Sequence, residues 1–235
     1  MAEAFSSVDT RPVISLPESD RATFIGRVYS HLAGAIALFV AFEFLLFQAG
    51  VAERFYNFVI GGGSRWFLVL GLFMVGSWLA TTAAADLGNP TKQYVGLVGM
   101  AAVYSVLFTV PLFRVFRTGD TASLWSAVFV TAIGFAGLTA VGWFTKNDLS
   151  FLRPFILFGG MLALVAIVGA LIFGFHLGVW FSVAMIGLMG ASILYQTQNI
   201  IRRYPSNAYV GAAVQLFSSV MTLFWYVLRI FVARD

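Results

Sequence analysis

The sequence predicts an all-α integral membrane protein with seven transmembrane helices. Its 235 residues are 60% hydrophobic and only 10% charged, whereas soluble domains are about 45–50% apolar and about 25% charged. The mean hydropathy is +0.90. Apolar runs of about 20 residues, the length that crosses a bilayer, recur along the whole chain. Once the spans are counted, the length leaves no room for a sizeable soluble domain.

The C-terminal run, residues 208–232, is predicted to be the central helix, with the other six spans gathered around it. Its polar residues recur at steps of three and four, which places them on one face of a helix. They are Gln215, Ser218, Ser219, Thr222, Tyr226 and Arg229. Because lipid offers buried polar groups no partners, this face should point at other helices or at a wet cavity. The alternative is ordinary helix packing, in which Ser, Thr and Gln often take part.

The N-terminal residues 1–22 are predicted to be a flexible cytoplasmic tail. They are polar, carry Pro12 and Pro17, and lack the basic start and apolar run of a cleaved signal peptide. The first span, residues 28–49, would then be an uncleaved anchor. Residues 23–235 are expected to form one membrane domain.

The remaining spans are read from the other apolar runs. They cover residues 66–85, 94–113, 123–144, 152–173, 179–201 and 208–232. The segments between them are a flexible glycine-rich loop at 61–64, a turn cluster at 86–90, a polar hinge at 145–150 and a tight turn at 174–178.

Loop charges favour a cytoplasmic N-terminus. One side of the predicted topology holds eight basic residues: Arg11, Arg21, Arg27, Lys92, Lys146, Arg153, Arg202 and Arg203. The other side holds five: Arg54, Arg65, Arg114, Arg117 and Arg234. An excess of Lys and Arg marks the cytoplasmic side, so the expected location is a bacterial inner membrane with the N-terminus inside.

Several kinds of chemistry are excluded. The chain has no cysteine, so disulfides, thiol catalysis and thiolate metal sites are ruled out. Neither His31 nor His176 has a second histidine or carboxylate at ligand spacing, so no metal site is expected. We find no nucleophile–base pair and expect neither an enzyme nor a cofactor. The basic residues are scattered singly, so no nucleic-acid patch is expected.

Glu43 is the one carboxylate lying clearly within an apolar run, FVAFEFLLF. A charge there is costly and usually faces a cavity or a partner. Arg229 lies at a similar depth in the last span, so we expect an ion pair or a shared water site. The alternative is that each side chain extends separately to the interface. Arg54 is a third candidate, or simply a loop charge.

The sixth span has its own polar stripe, formed by Ser192, Gln196 and Asn199, with Arg203 one turn further. A short loop makes spans six and seven antiparallel neighbours, so Gln196 and Ser219 are expected to face each other. Such a neutral pair can form a hydrogen bond or hold water. It does not titrate near neutral pH as a carboxylate pair does.

The segment TAIGFAGLTAVGWFTKNDLS, residues 131–150, resembles the signature of the Bax inhibitor-1 family. The matching positions are Gly142, Thr145, Lys146, Asp148, Leu149 and Ser150. The similarity extends to Arg27 and Tyr29, to ILYQTQNII in span six and to AAVQLFSSVMTLFWYVLRI in span seven. The resemblance implies a seven-span bundle with a central last helix.

The resemblance also implies an activity. Described family members look like passive, pH-sensitive calcium leaks whose sensor is an aspartate pair on spans six and seven. Here Gln196 and Ser219 stand at those positions, so the pH switch is expected to be lost or altered. Glu43 and Arg229 match charged positions of the family's pathway, and Arg54 matches its gating arginine.

Two functions follow from these patterns. The first is a cation leak with changed pH control. The second is a non-conducting interaction protein, similar to relatives that modulate a membrane-bound protease through a cytoplasmic N-terminal tail.

Overall fold

The computed structural model describes residues 11–62 and 65–232, which form eight α-helices and a short 3-10 helix at Val13–Ser15. The α-helices are α1 Glu18–Gln48, α2 Val51–Ile60, α3 Arg65–Ala84, α4 Pro90–Thr118, α5 Thr121–Phe144, α6 Leu152–Phe173, α7 Val179–Arg202 and α8 Tyr209–Val232. All except α2 are long and apolar enough to cross a membrane. The predicted seven-span, all-α class is confirmed. Residues 1–10 of the predicted tail, residues 63–64 of the predicted loop and Arg234 lie outside the described residues.

The membrane domain has two ends. The N-terminal side is the one on which α1 begins, and it also carries the segments 85–89, 145–151 and 203–208. The opposite side carries α2, the segments 119–120 and 174–178, and the end of α8.

The last helix, α8, is at the centre of the bundle. It packs against α1, α3, α4, α5 and α7. Within its most apolar stretch 72% of the residues are buried, more than in any other described span. Its inner side chains, including Leu216, Phe217 and Leu228, are almost completely buried. The pattern of one polar stripe on an otherwise apolar helix therefore predicted its central position correctly.

The fifth span, α6, does not surround α8 as the six-companion arrangement predicted. It packs chiefly on α7, and only 6% of its most apolar stretch is buried. The reason is compositional, since α6 is apolar on all sides and has the highest hydropathy of the spans. Such a helix is stable facing lipid and needs little protein cover.

Residues 11–22 of the predicted flexible tail are partly folded. Val13 is completely buried, and its backbone N–H donates to the carbonyl oxygen of Tyr204 at 2.9 Å. Helix α1 already begins at Glu18, and acidic residues in its first turn suit the positive end of a helix dipole. Hydropathy alone finds the apolar span and misses this polar helical extension.

A short helix, α2, follows α1 where the sequence suggested only a connection. Gly50 adopts a left-handed conformation (φ 66°), which turns the chain between the two helices. Ala52 and Val59 are buried while Arg54 is exposed. The helix packs mainly on α4. Ten residues are too few to cross a bilayer, so a search for long apolar runs overlooks this helix.

Helices α3 and α4 approach closely through small residues. A Cβ at Gly96 would lie 2.5 Å from both the Ala80 carbonyl oxygen and the Ala84 backbone nitrogen. Close backbone contact of this kind is typical of membrane helix pairs. Asn89 caps α4 by accepting a hydrogen bond from the Lys92 backbone N–H at 3.1 Å. This packing fixes the positions of the polar side chains of α4 and α8 relative to each other.

Candidate functional site

The polar stripe of α8 is anchored to α4 by one buried tyrosine. The hydroxyl oxygen of Tyr104 lies 2.8 Å from the Ser218 hydroxyl and 2.9 Å from the Thr222 hydroxyl. It also donates to the Ser218 carbonyl oxygen at 3.0 Å. Ser218 and Thr222 are one helical turn apart, so they share the face that meets Tyr104.

The two ends of the stripe are bound by loops. Gln215 accepts a hydrogen bond from the Tyr204 hydroxyl at 2.6 Å. Near the opposite side, Arg229 donates to the Leu177 carbonyl oxygen in the α6–α7 turn. Between them the ring of Tyr226 packs edge-on against Phe181, with centroids 5.8 Å apart. The predicted inward orientation of the stripe is only partly correct. Ser219 and Tyr226 are buried, whereas Gln215, Ser218, Thr222 and Arg229 lie along the least buried face of α8.

A cavity of about 510 Å³ borders the stripe on the opposite side of the bundle. Its walls come from α3, α4, α6, α7, α8 and the α6–α7 turn. Most of the lining is apolar, and the polar members include Tyr104, His176, Thr222, Tyr226 and Arg229. Because α6 is set away from α8, the stripe lies against open space here instead of against a sixth helix.

Glu43 is buried between α1 and α4, with 6% of its surface exposed. The Thr109 hydroxyl oxygen lies 3.5 Å from one carboxylate oxygen but donates to the Ser105 carbonyl oxygen at 2.8 Å. The other carboxylate oxygen has no hydrogen-bond partner among the described residues. The ion pair predicted with Arg229 is not formed among the described residues, because Glu43 faces α4 while Arg229 bonds Leu177. Arg54 lies exposed on α2 and bonds neither of them.

The hinge motif at 145–150 is held by the end of α7. Gln198, which is 4% exposed, donates to the Asn147 carbonyl oxygen and accepts from the Leu149 N–H, both at 2.7 Å. Arg202 donates to the carbonyl oxygens of Thr145 and Lys146 at 3.1 and 3.0 Å. These hydrogen bonds satisfy backbone groups of the hinge that would otherwise bond to water.

The side chain of Asp148 completes the hinge. It accepts hydrogen bonds from the Ser150 hydroxyl at 2.6 Å and from the Ser150 N–H at 3.0 Å. The Arg203 guanidinium lies 3.2 Å from both carboxylate oxygens. The Ser150 hydrogen bonds, followed by the nearby arginines, hold the pKa of Asp148 below its usual range. The hinge is thus a folded structural element.

The N-terminal segment is attached beside this hinge. Pro12 forms an isolated antiparallel bridge with Pro205, next to the Val13–Tyr204 hydrogen bond. Burial raises the pKa of the Tyr204 hydroxyl to about 12, so Tyr204 remains a neutral donor to Gln215. Residues of the tail, the α7–α8 turn and the stripe are therefore linked at the N-terminal side.

Gln196 and Ser219 do not bond each other in the described part of the chain. The side-chain oxygen of Gln196 is buried without a hydrogen-bond partner, and Ser219 is 6% exposed. Nearby on the same helix, the Thr197 hydroxyl is also buried without a partner and lies beside Tyr29 of α1. The expected pair is thus replaced by separate polar groups on α7 and α8.

Sequence reasoning missed the residues that hold the site together. Tyr104 and Thr109 lie in span three, whose pattern was read only for its length. Their signal was available, since both are polar groups inside an apolar run. Gln198 was missed because the four–three–four stripe selected Gln196. Two residues further along a helix point about 200° away, so the stripe did not include Gln198.

The fold and this site define a class: a multi-pass helical membrane protein with hydroxyl and amide groups around a buried central helix. The comparison with known families is more specific. The model of the family described as "Inhibitor of apoptosis-promoting Bax1" matches residues 21–235. The chain belongs to this Bax inhibitor-1 family, as its hinge motif predicted.

Two relatives show how far the similarity extends. Protein LIFEGUARD 4 of Arabidopsis thaliana is 34% identical over 146 residues, which cover 59% of this chain and 57% of that protein. Uncharacterized protein PA2604 of Pseudomonas aeruginosa is 38% identical over 109 residues, covering 45% and 48% respectively. The chain thus spans about half the length of the curated relatives it matches.

Proposed function

We propose that the protein is a passive cation leak, with calcium as the permeating ion, whose pH control is lost or altered. The observation that carries this proposal is Glu43. It is a carboxylate buried in a membrane span, and one of its oxygens has no partner. Ionisable groups inside a membrane usually mark an ion pathway, and carboxylate oxygens are ligands that calcium prefers.

A pathway also needs polar groups beyond one carboxylate. The α8 stripe supplies hydroxyls, and the cavity of about 510 Å³ supplies an entrance from the opposite side. Tyr104 and Thr222, whose hydroxyl oxygens lie 2.9 Å apart, both line this cavity. Conduction past this point requires that the tyrosine contact opens, so it is our candidate constriction.

The proposed change in pH control rests on Gln196 and Ser219. Neither side chain carries a carboxylate, so they cannot share a proton as two nearby aspartates do. We expect flux to change little between about pH 6 and pH 8. A steep change of flux with pH in this range would contradict the loss of pH control. It would indicate that Glu43 or a histidine controls the flux.

The test is calcium efflux from vesicles containing purified protein. Glu43→Gln should slow efflux several-fold, because the amide keeps the shape of the side chain but removes the carboxylate that would ligate the ion. Glu53→Gln on the exposed face of α2 is the matched control and should leave efflux unchanged. Efflux no faster than from empty vesicles at any pH from acidic to neutral would disprove the conduction proposal.

We also propose that the protein lies in a bacterial inner membrane with its N-terminus in the cytoplasm, on the basis of the eight-to-five distribution of basic residues. The chain has no cysteine, so single cysteines report topology directly. An impermeant maleimide added to intact cells should label Glu53→Cys and leave Lys146→Cys unlabelled. Labelling of Lys146→Cys and not of Glu53→Cys would show that the orientation is the opposite one.

A second function is favoured by the docked N-terminal segment. Val13 joins the tail to the α7–α8 turn, and Arg203 of that turn contacts Asp148 of the hinge. The tail and the hinge thus offer one surface to a partner such as a membrane-bound protease. Deleting residues 2–20 should abolish co-purification of that protease. If the protease still co-purifies, the tail has no such role.

A further inference from the structure

A second cavity, of about 430 Å³, lies at the opposite side of the bundle between the ends of α3, α4 and α8. Its lining includes Trp66, Val110, Arg114, Trp225, Leu228 and Arg229. We propose that this cavity binds an anionic phospholipid, with Arg114 and Arg229 holding the headgroup phosphate. The proposal does not require that the protein conducts cations, and Trp66, Trp225 and Arg229 line both this cavity and the first one.

The charge of the cavity requires an anion. Arg114 comes from α4 and Arg229 from α8, and no Asp or Glu lines the cavity among the described residues. Neither arginine forms an ion pair within residues 11–62 and 65–232. Arg229 donates to the Leu177 carbonyl oxygen, which uses part of its five donors. Guanidinium groups bind phosphate through paired hydrogen bonds.

The depth of the cavity favours a lipid over a soluble phosphate. Arg114 and Arg229 lie within the last five residues of their helices, and Trp66 is the second residue of α3. The rings of Trp66 and Trp225 stack with centroids 6.3 Å apart. Tryptophans are enriched at the level of lipid headgroups, so the two arginines are at the height of the lipid phosphates.

The rest of the lining suits the remainder of a phospholipid. Val110, Pro111, Leu228 and Val232 present an apolar wall on which a glycerol backbone and the start of an acyl chain can pack. A free phosphate ion would leave this wall uncovered. The favourable burial of apolar surface therefore adds to the electrostatic attraction only when the anion carries a lipid tail.

The experiment is native mass spectrometry of the purified protein titrated with dioleoyl-phosphatidylglycerol, dioleoyl-phosphatidylcholine or glycerol 3-phosphate. We expect phosphatidylglycerol to bind at least about tenfold more tightly than phosphatidylcholine, and glycerol 3-phosphate not to compete. Arg114→Gln should remove this preference, and Arg114→Lys should restore part of it.

Arg117→Gln is the matched control. Arg117 lies on the same helix, but its guanidinium is placed over the Tyr56 ring, 6.0 Å from the centroid, and it does not line the cavity. This variant should bind both lipids as the wild type does. Equal affinity for the two lipids, equal losses in both glutamine variants, competition by glycerol 3-phosphate, or a lipid-free dimer that covers this face would each overturn the proposal.

Discussion

The hydroxyl oxygen of Tyr104 in α4 lies 2.8 Å from the hydroxyl oxygen of Ser218 in α8. This contact joins the centre of the polar stripe to a neighbouring helix beside the cavity of about 510 Å³. The aromatic ring is itself enclosed, with Phe73 and Phe217 packed edge-on at 5.0 and 5.5 Å. Tyr104 is therefore the polar contact that joins the α8 stripe to α4.

Removing the Tyr104 hydroxyl should lower the stability of the bundle without unfolding it. Tyr104→Phe keeps the ring packing but loses the hydrogen bonds to Ser218 and Thr222. Hydrogen bonds between membrane helices contribute about 0.6 kcal/mol on average, and Thr222 keeps its bond to the Ser218 carbonyl oxygen. We expect a loss of about 1–2 kcal/mol in the free energy of unfolding, measured by denaturant titration in detergent. Tyr56→Phe, whose ring lies against Phe113, should have little effect, and equal losses would contradict this account.

Two glutamines on α7 should respond in opposite ways to the same substitution. Gln198→Leu removes the partner of the part-buried Asn147 carbonyl and Leu149 N–H, at a cost of about 1 kcal/mol. Gln196→Leu removes a side-chain oxygen that has no partner, so stability should stay the same or rise. Unfolding midpoints of the two variants and the wild type decide the question. A larger loss in Gln196→Leu would show that Gln196, and not Gln198, holds the fold.

The close approach of α3 and α4 should tolerate no side chain at Gly96. A methyl group there would meet backbone atoms of α3 at 2.5 Å, and backbone cannot move aside as a flexible side chain can. We expect Gly96→Ala to cost about 3 kcal/mol, the upper part of the usual overpacking range. Gly99→Ala is the control, because its nearest neighbour would be the Ala80 Cβ at 3.8 Å. Thermal unfolding in detergent should give a lower midpoint for Gly96→Ala than for Gly99→Ala. Similar midpoints for the two variants would contradict the close α3–α4 packing.

The hinge should lose stability only in acid. The pKa of Asp148 is lower in the folded chain than in the unfolded chain, where a carboxyl of this kind has a pKa near 3.9. Its stabilising contribution is therefore fully present above about pH 4 and is lost as the pH falls through the lower folded value. Unfolding midpoints recorded from pH 3 to pH 7 should show this decline in the wild type.

Asp148→Asn is the comparison for the acid profile. The amide cannot ionise, so this variant should be less stable at pH 7 and should show a weaker decline below about pH 4. Glu53→Gln, on an exposed helix face, should leave the profile as it is in the wild type. A decline of the same size in Asp148→Asn would show that other carboxyl groups cause it.

The sequence by itself determined the class of protein, the seven spans and the central place of α8. These predictions depend on local features of the sequence. The length of an apolar run indicates a span, and polar residues repeated every three or four positions indicate one face of a helix. The hinge motif likewise led to the family.

Only the tertiary structure decided which polar groups meet. Glu43 is next to Thr109 and not Arg229, and Gln198, not Gln196, bonds the hinge. The tail is docked through Val13, and α6 is set apart from α8. The physical reason is that a periodic pattern gives a side chain's direction around its own helix, whereas its partner depends on how neighbouring helices are rotated and spaced. That rotation is set by the packing of the whole bundle.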